Sequence, residues 1–258
     1  MLFLHGFPEF WYSWRHQLDE FGSDHRAVAV DLRGYNDSDK PRARGAYSIG
    51  QLVADVRAVI DQLGEGPAVL VGHDWGGAIA WIFAQRHPKL LSHLVIINTP
   101  HPARFFQEIR DPDQMRKSRY MFFFQLPFLP ERAMTREGAA AVVPLYRRHA
   151  TNPAAFTEED VQIFREAFLK PGVATAAINY YRNGVAFFLA ARRPAIIEVP
   201  TLLLWGDRDP YLNKRLTEGN DRYVRHLTVQ HFPNAGHFVH EERSAEVNAA
   251  IRAFLASA

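Results

Sequence analysis

The stretch LVGHDWGGAIA at residues 70–80 constrains this chain more than any other. An apolar run leads through a sharp, glycine-flanked turn into a helical sequence. This outline is typical of a nucleophile elbow, which exposes one side chain at the tip of a strand–turn–helix unit. The flanking glycines are Gly72 and Gly76, and the position between them holds Asp74. The stretch therefore predicts an α/β fold with a carboxylate where acyl-transfer enzymes keep a hydroxyl.

Further short apolar runs predict the rest of the sheet. Such runs are typical of strands that are buried on both faces, as in a parallel sheet, and helical sequences lie between them. The runs are LFLHG (2–6), AVAVDL (27–32), AVLVG (68–72), LVIINT (94–99), TLLLWG (201–206) and LTVQHF (227–232). Strand–helix alternation with short connections predicts a doubly wound, mostly parallel sheet.

Residues 102–194 interrupt this alternation. They contain no convincing strand, only helical stretches broken by Pro and Gly. One helix is predicted from a capping box at Thr157 and Asp160, and another from Val173 to about Leu189. A helical block inserted into an α/β sheet usually covers the carboxyl ends of the strands, where such folds bind ligands. We therefore expect a core of residues 1–101 and 195–258 and a helical cap, or lid, of residues 102–194.

Composition excludes several classes of function. The 258 residues carry a net charge of +2, which gives no case for nucleic acid or a membrane surface as a partner. There are no cysteines, which excludes disulfides, thiolate catalysis and Cys-ligated metals. No signal region or membrane-spanning stretch is recognisable in the sequence. We expect a soluble, cytoplasmic protein that needs no cofactor and no metal.

A carboxylate at an elbow favours a particular chemistry. It is a poor nucleophile toward an amide or ester carbonyl, because it leaves again more easily than it is replaced. It can attack an electrophilic sp³ carbon, displacing halide or opening a strained ring, and the product is an ester between enzyme and substrate. That ester must then be hydrolysed by an activated water. Asp74 is therefore the candidate nucleophile, and the site still needs a base and an oxyanion hole.

The remaining groups follow in the order nucleophile, acid, histidine. WGDRDP, after a late strand, offers Asp207 and Asp209, and NAGHFVH, after the last strand, offers His237. A neutral imidazole oriented by a buried carboxylate is a standard pair for activating water. The oxyanion donors would be the backbone N–H groups of Phe7, in the HGFP loop, and Trp75, directly after the nucleophile.

Taken together, these motifs resemble the α/β-hydrolase superfamily and, within it, the epoxide hydrolases. The segments that carry the resemblance are HGFPEFWYSWRHQ (5–17), DLRGYNDSDKP (31–41), VGHDWGG (71–77), LLLWGDRDP (202–210) and NAGHFVH (234–240). The resemblance implies an α/β-hydrolase core with an inserted helical cap and the hydrolysis of an epoxide to a diol. It selects Asp209 over Asp207 as the acid that orients His237.

The resemblance also implies two cap tyrosines that hydrogen-bond the epoxide oxygen and protonate the leaving alkoxide. NYYRN (179–183) indicates Tyr181 and RYMFFFQLP (119–127) indicates Tyr120, although Tyr180 could face the core equally well on helical spacing. A phenol suits this role, because its pKa of about 10 keeps it protonated near neutrality. The expected substrate is a small apolar epoxide, which reacts with water. The residues expected to contact it are Phe7, Pro8, Trp75, Phe123, Phe124 and Phe238.

Three alternatives share parts of this pattern. A haloalkane dehalogenase would use Trp75 as one halide donor, but it needs a second from a cap Trp or from an Asn after His-Gly, and residues 102–194 have no Trp while Phe7 follows Gly6. A haloacid (fluoroacetate) dehalogenase would hold its substrate with Arg residues just after the nucleophile, and DWGGAIAW has none. A non-catalytic binding protein derived from a hydrolase would have no reason to keep nucleophile, acid, base and tyrosines together.

The position of the first strand leads to a last expectation. The resemblance implies roughly two more strands before it, and we expect the first two family strands to be absent here. We therefore expect six parallel strands in the order second, first, third, fourth, fifth, sixth. AVAVDL (27–32) would then be an unprotected edge, which invites pairing with another chain. The expectation is a truncated or misassigned start, or a partner over this edge, for example in a homodimer.

Overall fold

Six strands form one parallel sheet in the order β2-β1-β3-β4-β5-β6. The computed structural model describes residues 1–64, 66–184, 187 and 194–257. The strands are β1 (Leu2–Leu4), β2 (Val28–Val30), β3 (Ala68–His73), β4 (Leu91–Ile97), β5 (Thr201–Gly206) and β6 (Leu227–Phe232). Every neighbouring pair is parallel. The predicted fold class and strand order are both confirmed.

Side chains along the strands alternate between two hydrophobic clusters, one on each face of the sheet. In β1, Leu2 and Leu4 belong to one cluster and Phe3 to the other, and all three are fully buried. Such alternation follows from the two-residue repeat of a strand. Because both faces are covered, the inner strands are continuous apolar runs. This pattern allowed them to be predicted from the sequence.

The helices cover both faces and fill the insertion between β4 and β5. They are α1 (Arg15–Phe21), α2 (Ile49–Leu63), α3 (Trp75–Arg86), α4 (Pro102–Glu108), α5 (Pro112–Lys117), α6 (Arg119–Phe123), α7 (Leu129–Ala139), α8 (Val143–Arg147), α9 (Glu158–Leu169), α10 (Val173–Arg182), α11 (Val239–Glu242) and α12 (Ser244–Ala256). Within the described part of residues 102–194 there are helices and no strand. The predicted end of the second insertion helix, near Leu189, lies outside the described residues.

Aromatic side chains join the inserted helices to the rest of the molecule. Phe7, in the loop after β1, contacts Phe124, Phe168 and Tyr181 with ring centroids 5.3–6.0 Å apart. Offset and edge-to-face contacts of this kind add about 0.5–1.5 kcal/mol per pair to the burial of the rings. The inserted helices therefore pack directly over the loop that follows the first strand, at the carboxyl edge of the sheet.

The two edge strands are more exposed than the inner four. All three residues of β2 are half-buried, and β6 buries only Phe232 fully. Pairing of β2 with another chain stays a prediction. Among the described residues no helix is long and apolar enough to cross a membrane.

Candidate active site

Asp74 occupies a sharp turn between β3, which ends at His73, and α3, which begins at Trp75. Its backbone has φ 47° and ψ −118°, a conformation that costs a non-glycine residue on the order of 1–3 kcal/mol. The turn also presses α3 against β1, since a Cβ at Gly76 would lie 2.1 Å from the carbonyl oxygen of Leu4. The close approach of α3 to β1 therefore explains why the predicted elbow has a glycine at position 76.

The loop after β1 supplies the first hydrogen bond to the Asp74 carboxylate. The backbone N–H of Phe7 donates to Asp74 Oδ1 at 2.8 Å. Trp75 is the first residue of α3, where backbone N–H groups have no partner within the helix. Both predicted oxyanion donors thus stand next to Asp74, where the partial positive charge of the helix N-terminus also favours a carboxylate.

His237 lies between two carboxylates. Its Nδ1–H donates to Asp209 Oδ2 at 2.6 Å, and its Nε2 is 3.6 Å from Asp74 Oδ2. Asp209 is buried and accepts three more hydrogen bonds, from Asn98 Nδ2 at 2.8 Å and from two backbone N–H groups of the turn after β5, at Tyr211 and Leu212. The structure thus brings Asp74, Asp209 and His237 together in the order that the sequence predicted.

The two carboxylates set the charge of the histidine. Burial alone would lower the pKa of His237, but the charge and hydrogen bond of Asp209, and then those of Asp74, raise it to about 10. Burial would raise the pKa of Asp209, but the charge and hydrogen bond of His237, together with the bond from Asn98, hold that pKa below its ordinary value. The two carboxylates therefore favour the protonated form of His237 over the neutral one.

The other carboxylate of WGDRDP is placed elsewhere. Asp207 Oδ1 is 2.6 Å from Nδ1 of His231, an edge-strand residue at the surface. Asp207 and Asp209 are separated by only two positions, yet they face different histidines.

A cavity of about 540 Å³ opens above Asp74 and His237. Tyr120 and Tyr181, which lie on α6 and α10, both line it, with ring centroids 5.7 Å apart in an edge-to-face contact. Burial raises the pKa of each phenol well above its ordinary value, so both remain protonated and able to donate. Neighbouring Tyr180 points away, and its hydroxyl donates to the backbone oxygen of Arg33 at 2.7 Å.

A second, smaller cavity of about 70 Å³ meets the first at the same three side chains. Asp74, Tyr120 and Tyr181 line both. The smaller cavity is otherwise almost entirely apolar, and its walls are Trp75, Ala78, Thr99, Pro100, Pro102, Phe105, Met121, Phe187 and Leu212. The nucleophile candidate and both tyrosines therefore stand at the junction of a large and a small pocket.

Five of the six predicted contact residues line one of these cavities. Phe7, Phe123, Phe124 and Phe238 line the larger one and Trp75 the smaller one. Pro8 lines neither cavity, and its contact with the substrate stays a prediction. Pro8 is buried, and so is Glu9 after it, whose carboxylate accepts a hydrogen bond from Gly6 N–H.

Sequence reasoning missed several residues around the site. Asn98 follows β4, and it both supports Asp209 and accepts a hydrogen bond from Gly206 N at 2.8 Å. Tyr211 is hydrogen-bonded to His149, and its ring lies edge-on to His237 with centroids 5.2 Å apart. Asn98 could have been recognised as a candidate site residue because it is polar and directly follows an apolar strand. Nothing local to the sequence marks His149.

A buried group beneath His237 could hold a metal ion. Ligand atoms of Glu9, His73 and His240 all lie within 4.8 Å of one another. They are largely engaged already, because Gly6 N–H donates to Glu9 Oε2, His73 Nδ1 lies 2.7 Å from the same oxygen, and His73 Nε2 lies 3.0 Å from the backbone oxygen of His237. His73 thus ties the Glu9 carboxylate to the main chain at His237. The expectation of a metal-free protein stays a prediction.

Comparisons with known proteins agree with this architecture. A profile of the family described as alpha/beta hydrolase fold matches residues 1–244. Epoxide hydrolase 4 of Mus musculus is 40% identical over 263 residues, which cover 99% of this chain and 72% of that protein. Epoxide hydrolase 3 of Xenopus tropicalis is 42% identical over 263 residues, which cover 99% of this chain and 71% of that protein.

Solved structures give the same result. The crystal structure of Bacillus megaterium epoxide hydrolase in complex with an inhibitor superposes with a TM-score of 0.91 at 35% identity, covering 99% of this chain and 92% of that one. A variant of the same enzyme was solved with its product, (R)-3-[1]naphthyloxy-propane-1,2-diol. These matches extend over nearly the whole chain and show the family as well as the fold. The chain belongs to the epoxide hydrolases of the α/β-hydrolase fold.

Proposed function

We propose that the protein converts an apolar epoxide to a vicinal diol through a covalent ester on Asp74. The observation that carries this proposal is the position of the Asp74 carboxylate. This carboxylate lies at the junction of the two cavities together with Tyr120 and Tyr181. Its Oδ2 is 3.6 Å from Nε2 of His237. An epoxide at the junction would meet a nucleophile at its carbon and acids at its oxygen.

In the first step a carboxylate oxygen of Asp74 attacks a ring carbon. The carbon–oxygen bond of the ring breaks, and its electron pair remains on the epoxide oxygen. A hydroxyl proton from Tyr120 or Tyr181 neutralises that oxygen as it leaves. Proton transfer from a positioned acid typically contributes about 10²–10⁴-fold to the rate. The raised pKa values of both phenols support this role, because a tyrosine that is already ionised could not donate.

Before the second step His237 gives its proton to the tyrosine that was ionised in the first. The neutral imidazole then accepts a proton from water, and the resulting hydroxide attacks the carbonyl carbon of the ester. The backbone N–H groups of Phe7 and Trp75 stabilise the tetrahedral oxyanion. The bond from this carbon to the substrate oxygen breaks, and that oxygen takes the proton of the hydroxyl that water supplied. The diol leaves, with Asp74 again a carboxylate and His237 again protonated. Esterification removes the charge of Asp74, which is one cause of the raised pKa of His237. The first step thereby lowers the pKa of the base that the second step needs.

We also propose that residues 102–194 act as a cap on a core of residues 1–101 and 195–258. Both tyrosines come from this insertion, whereas Asp74, Asp209 and His237 follow strands of the sheet. The aromatic contacts around Phe7 support a cap that is closed over the elbow.

A substrate panel tests this function. Diol formation from styrene oxide and from linear aliphatic epoxides is measured beside halide release from 1-chlorobutane and fluoroacetate. Diol without halide is the expected result. Halide release without diol would instead identify a dehalogenase with the same nucleophile, and no product from either set would favour a binding protein.

A further inference from the structure

A buried carboxylate that lines neither cavity holds the backbone next to His237. Glu242 is the last residue of α11, and its side chain is buried. Its two oxygens accept hydrogen bonds from the backbone N–H group of Gly236, at 3.1 Å and 3.2 Å. Gly236 immediately precedes His237 in the chain. The Glu242 carboxylate therefore fixes the main chain on the amino-terminal side of the base.

The same carboxylate also binds the insertion between β4 and β5. Its Oε2 accepts hydrogen bonds from the backbone N–H groups of Thr151 at 2.8 Å and of Asn152 at 3.0 Å. These two residues lie in the segment between α8 and α9. A buried carboxylate needs such donors to replace its hydration, and hydrogen bonds to a charged acceptor are about twice as strong as neutral ones. Glu242 therefore joins the insertion to the loop that carries His237.

The three segments around Glu242 are packed closely at Gly236. A Cβ at this position would lie 2.8 Å from Oε1 of Glu242 and 3.2 Å from both the backbone oxygen of His149 and Oγ1 of Thr151. The hydrogen bonds to Glu242 thus need a glycine before His237. Because a close-packed interior transmits displacements, movement of residues 149–152 would shift this loop.

A second contact links the same part of the insertion to the base. Nδ1 of His149 lies 2.5 Å from the hydroxyl oxygen of Tyr211, whose ring is edge-on to His237 with centroids 5.2 Å apart. On the other side of the loop, Nε2 of His73 lies 3.0 Å from the backbone oxygen of His237. The insertion therefore reaches the surroundings of His237 at two separate points, through Glu242 and through Tyr211.

We propose that Glu242 is a positioning residue for the second step of the reaction. By holding Gly236 and the insertion together, it keeps His237 where the imidazole can activate water. This inference rests on the proposed function, in which His237 is the base that hydrolyses the ester. The hydrogen bonds of Glu242 go to neither the nucleophile nor the two cavity tyrosines. Loss of its carboxylate should therefore slow hydrolysis of the ester and leave its formation nearly unchanged.

The test compares the rates of the two steps in Glu242→Gln. Glutamine keeps the shape of the side chain, but its NH₂ group would face backbone N–H donors and cannot accept from them. Stopped-flow fluorescence of a single turnover of styrene oxide gives the rates of alkylation and of ester hydrolysis. We expect hydrolysis to be about 10- to 100-fold slower and alkylation to change by less than about 3-fold. Intact-protein mass spectrometry during steady-state turnover should show more ester-bearing enzyme than in the wild type.

A matched control removes a different contact of the insertion. Tyr12→Phe deletes the hydrogen bond from the Tyr12 hydroxyl to Oδ1 of Asp160 on α9, at 2.9 Å, which involves neither Gly236 nor His237. Both rates should stay as they are in the wild type. Glu242→Asp keeps the charge on a shorter side chain and should slow hydrolysis less than Glu242→Gln does. It also provides the measurement if Glu242→Gln does not fold.

The outcomes separate the inference from the function on which it rests. Wild-type rates of both steps in the Glu242 variants, or an equal loss in both steps, would overturn the inference and leave the proposed function intact. Selective loss of hydrolysis in Tyr12→Phe would overturn it too, because any contact of the insertion would then have this effect. A wild-type enzyme that forms neither ester nor diol from styrene oxide would contradict the proposed function and the inference together.

Discussion

The strand ends and the inserted helices hold their parts of the site by different interactions. At the strand ends, Asp209 accepts four hydrogen bonds and one of them fixes His237, so both oxygens of this carboxylate have directed partners. On the inserted helices, Tyr120 and Tyr181 are held mainly by ring contacts with each other and with Phe124. Directed hydrogen bonds define one geometry, whereas aromatic contacts tolerate a range of geometries. We infer that the strand ends fix the charges and the inserted helices shape the pocket.

The largest effect is expected from a change at the strand ends, where loss of the base should stop the second reaction step and leave the first intact. His237→Gln removes the base of the second step but leaves Asp74 and the tyrosines in place. Alkylation should continue and hydrolysis should stop, with steady-state turnover lower by roughly 10⁴-fold or more. Mass spectrometry of the intact protein should show an increase equal to the mass of the epoxide. Normal turnover by this variant would remove His237 from the mechanism.

The next effect concerns the inserted helices. Tyr181→Phe and Tyr120→Phe should each slow alkylation, and the double variant should approach the full contribution of about 10²–10⁴-fold from the acid. Tyr180→Phe is the matched control, because Tyr180 is the neighbour of Tyr181 and its hydroxyl is bonded to Arg33 instead. Stopped-flow measurement of the alkylation step checks this. Greater damage from Tyr180→Phe than from Tyr181→Phe would mean that the other face of α10 serves the reaction.

The smallest expected effect is a change in the pKa of His237 when either neighbouring carboxylate is removed. Removing the Asp74 charge in Asp74→Asn should lower the pKa of His237 by about 1–3 units, and Asp209→Asn should lower it further because its hydrogen bond is shorter. NMR titration of ¹³C-labelled histidine measures both, with His237→Gln assigning the signal. Equal pKa values in the wild type and in Asp74→Asn would contradict the coupling.

The raised pKa of His237 also makes the free energy of unfolding depend on pH. The pKa of His237 in the folded protein is above the unfolded value of about 6.5. Its contribution to the free energy of unfolding is therefore fully present below pH of about 6.5 and is lost as the pH rises through about 10.

The sequence predicted the strand-end half of the site better than the inserted half. Asp74, Asp209 and His237 each follow an apolar strand, and the carboxyl ends of parallel strands meet at one edge. Chain order alone therefore brings them together. The choice of Asp209 over Asp207 came from the family resemblance, since both follow the same strand. Their different partners depend on the turn geometry after β5, which has no simple signature.

Pocket walls and helix caps were harder to predict. Tyr180 and Tyr181 are adjacent, and which one faces the cavity depends on how α10 packs over the elbow. Thr157 forms the predicted capping box with Asp160, whereas Ser48, with Gln51 at the same spacing, makes no side-chain cap to α2. The pattern was the same in both places. The spacing alone therefore does not determine whether the capping hydrogen bonds form.

The most direct test of the account is the fate of oxygen from water. If Asp74 forms the ester, hydrolysis at its carbonyl carbon places one water oxygen in the carboxylate. After many turnovers in ¹⁸O-labelled water, the peptide that contains Asp74 should gain mass, while peptides that contain Asp207 and Asp209 should not. An enzyme that has formed diol and carries no label on Asp74 would mean that water attacks the epoxide directly, and the covalent mechanism would be wrong.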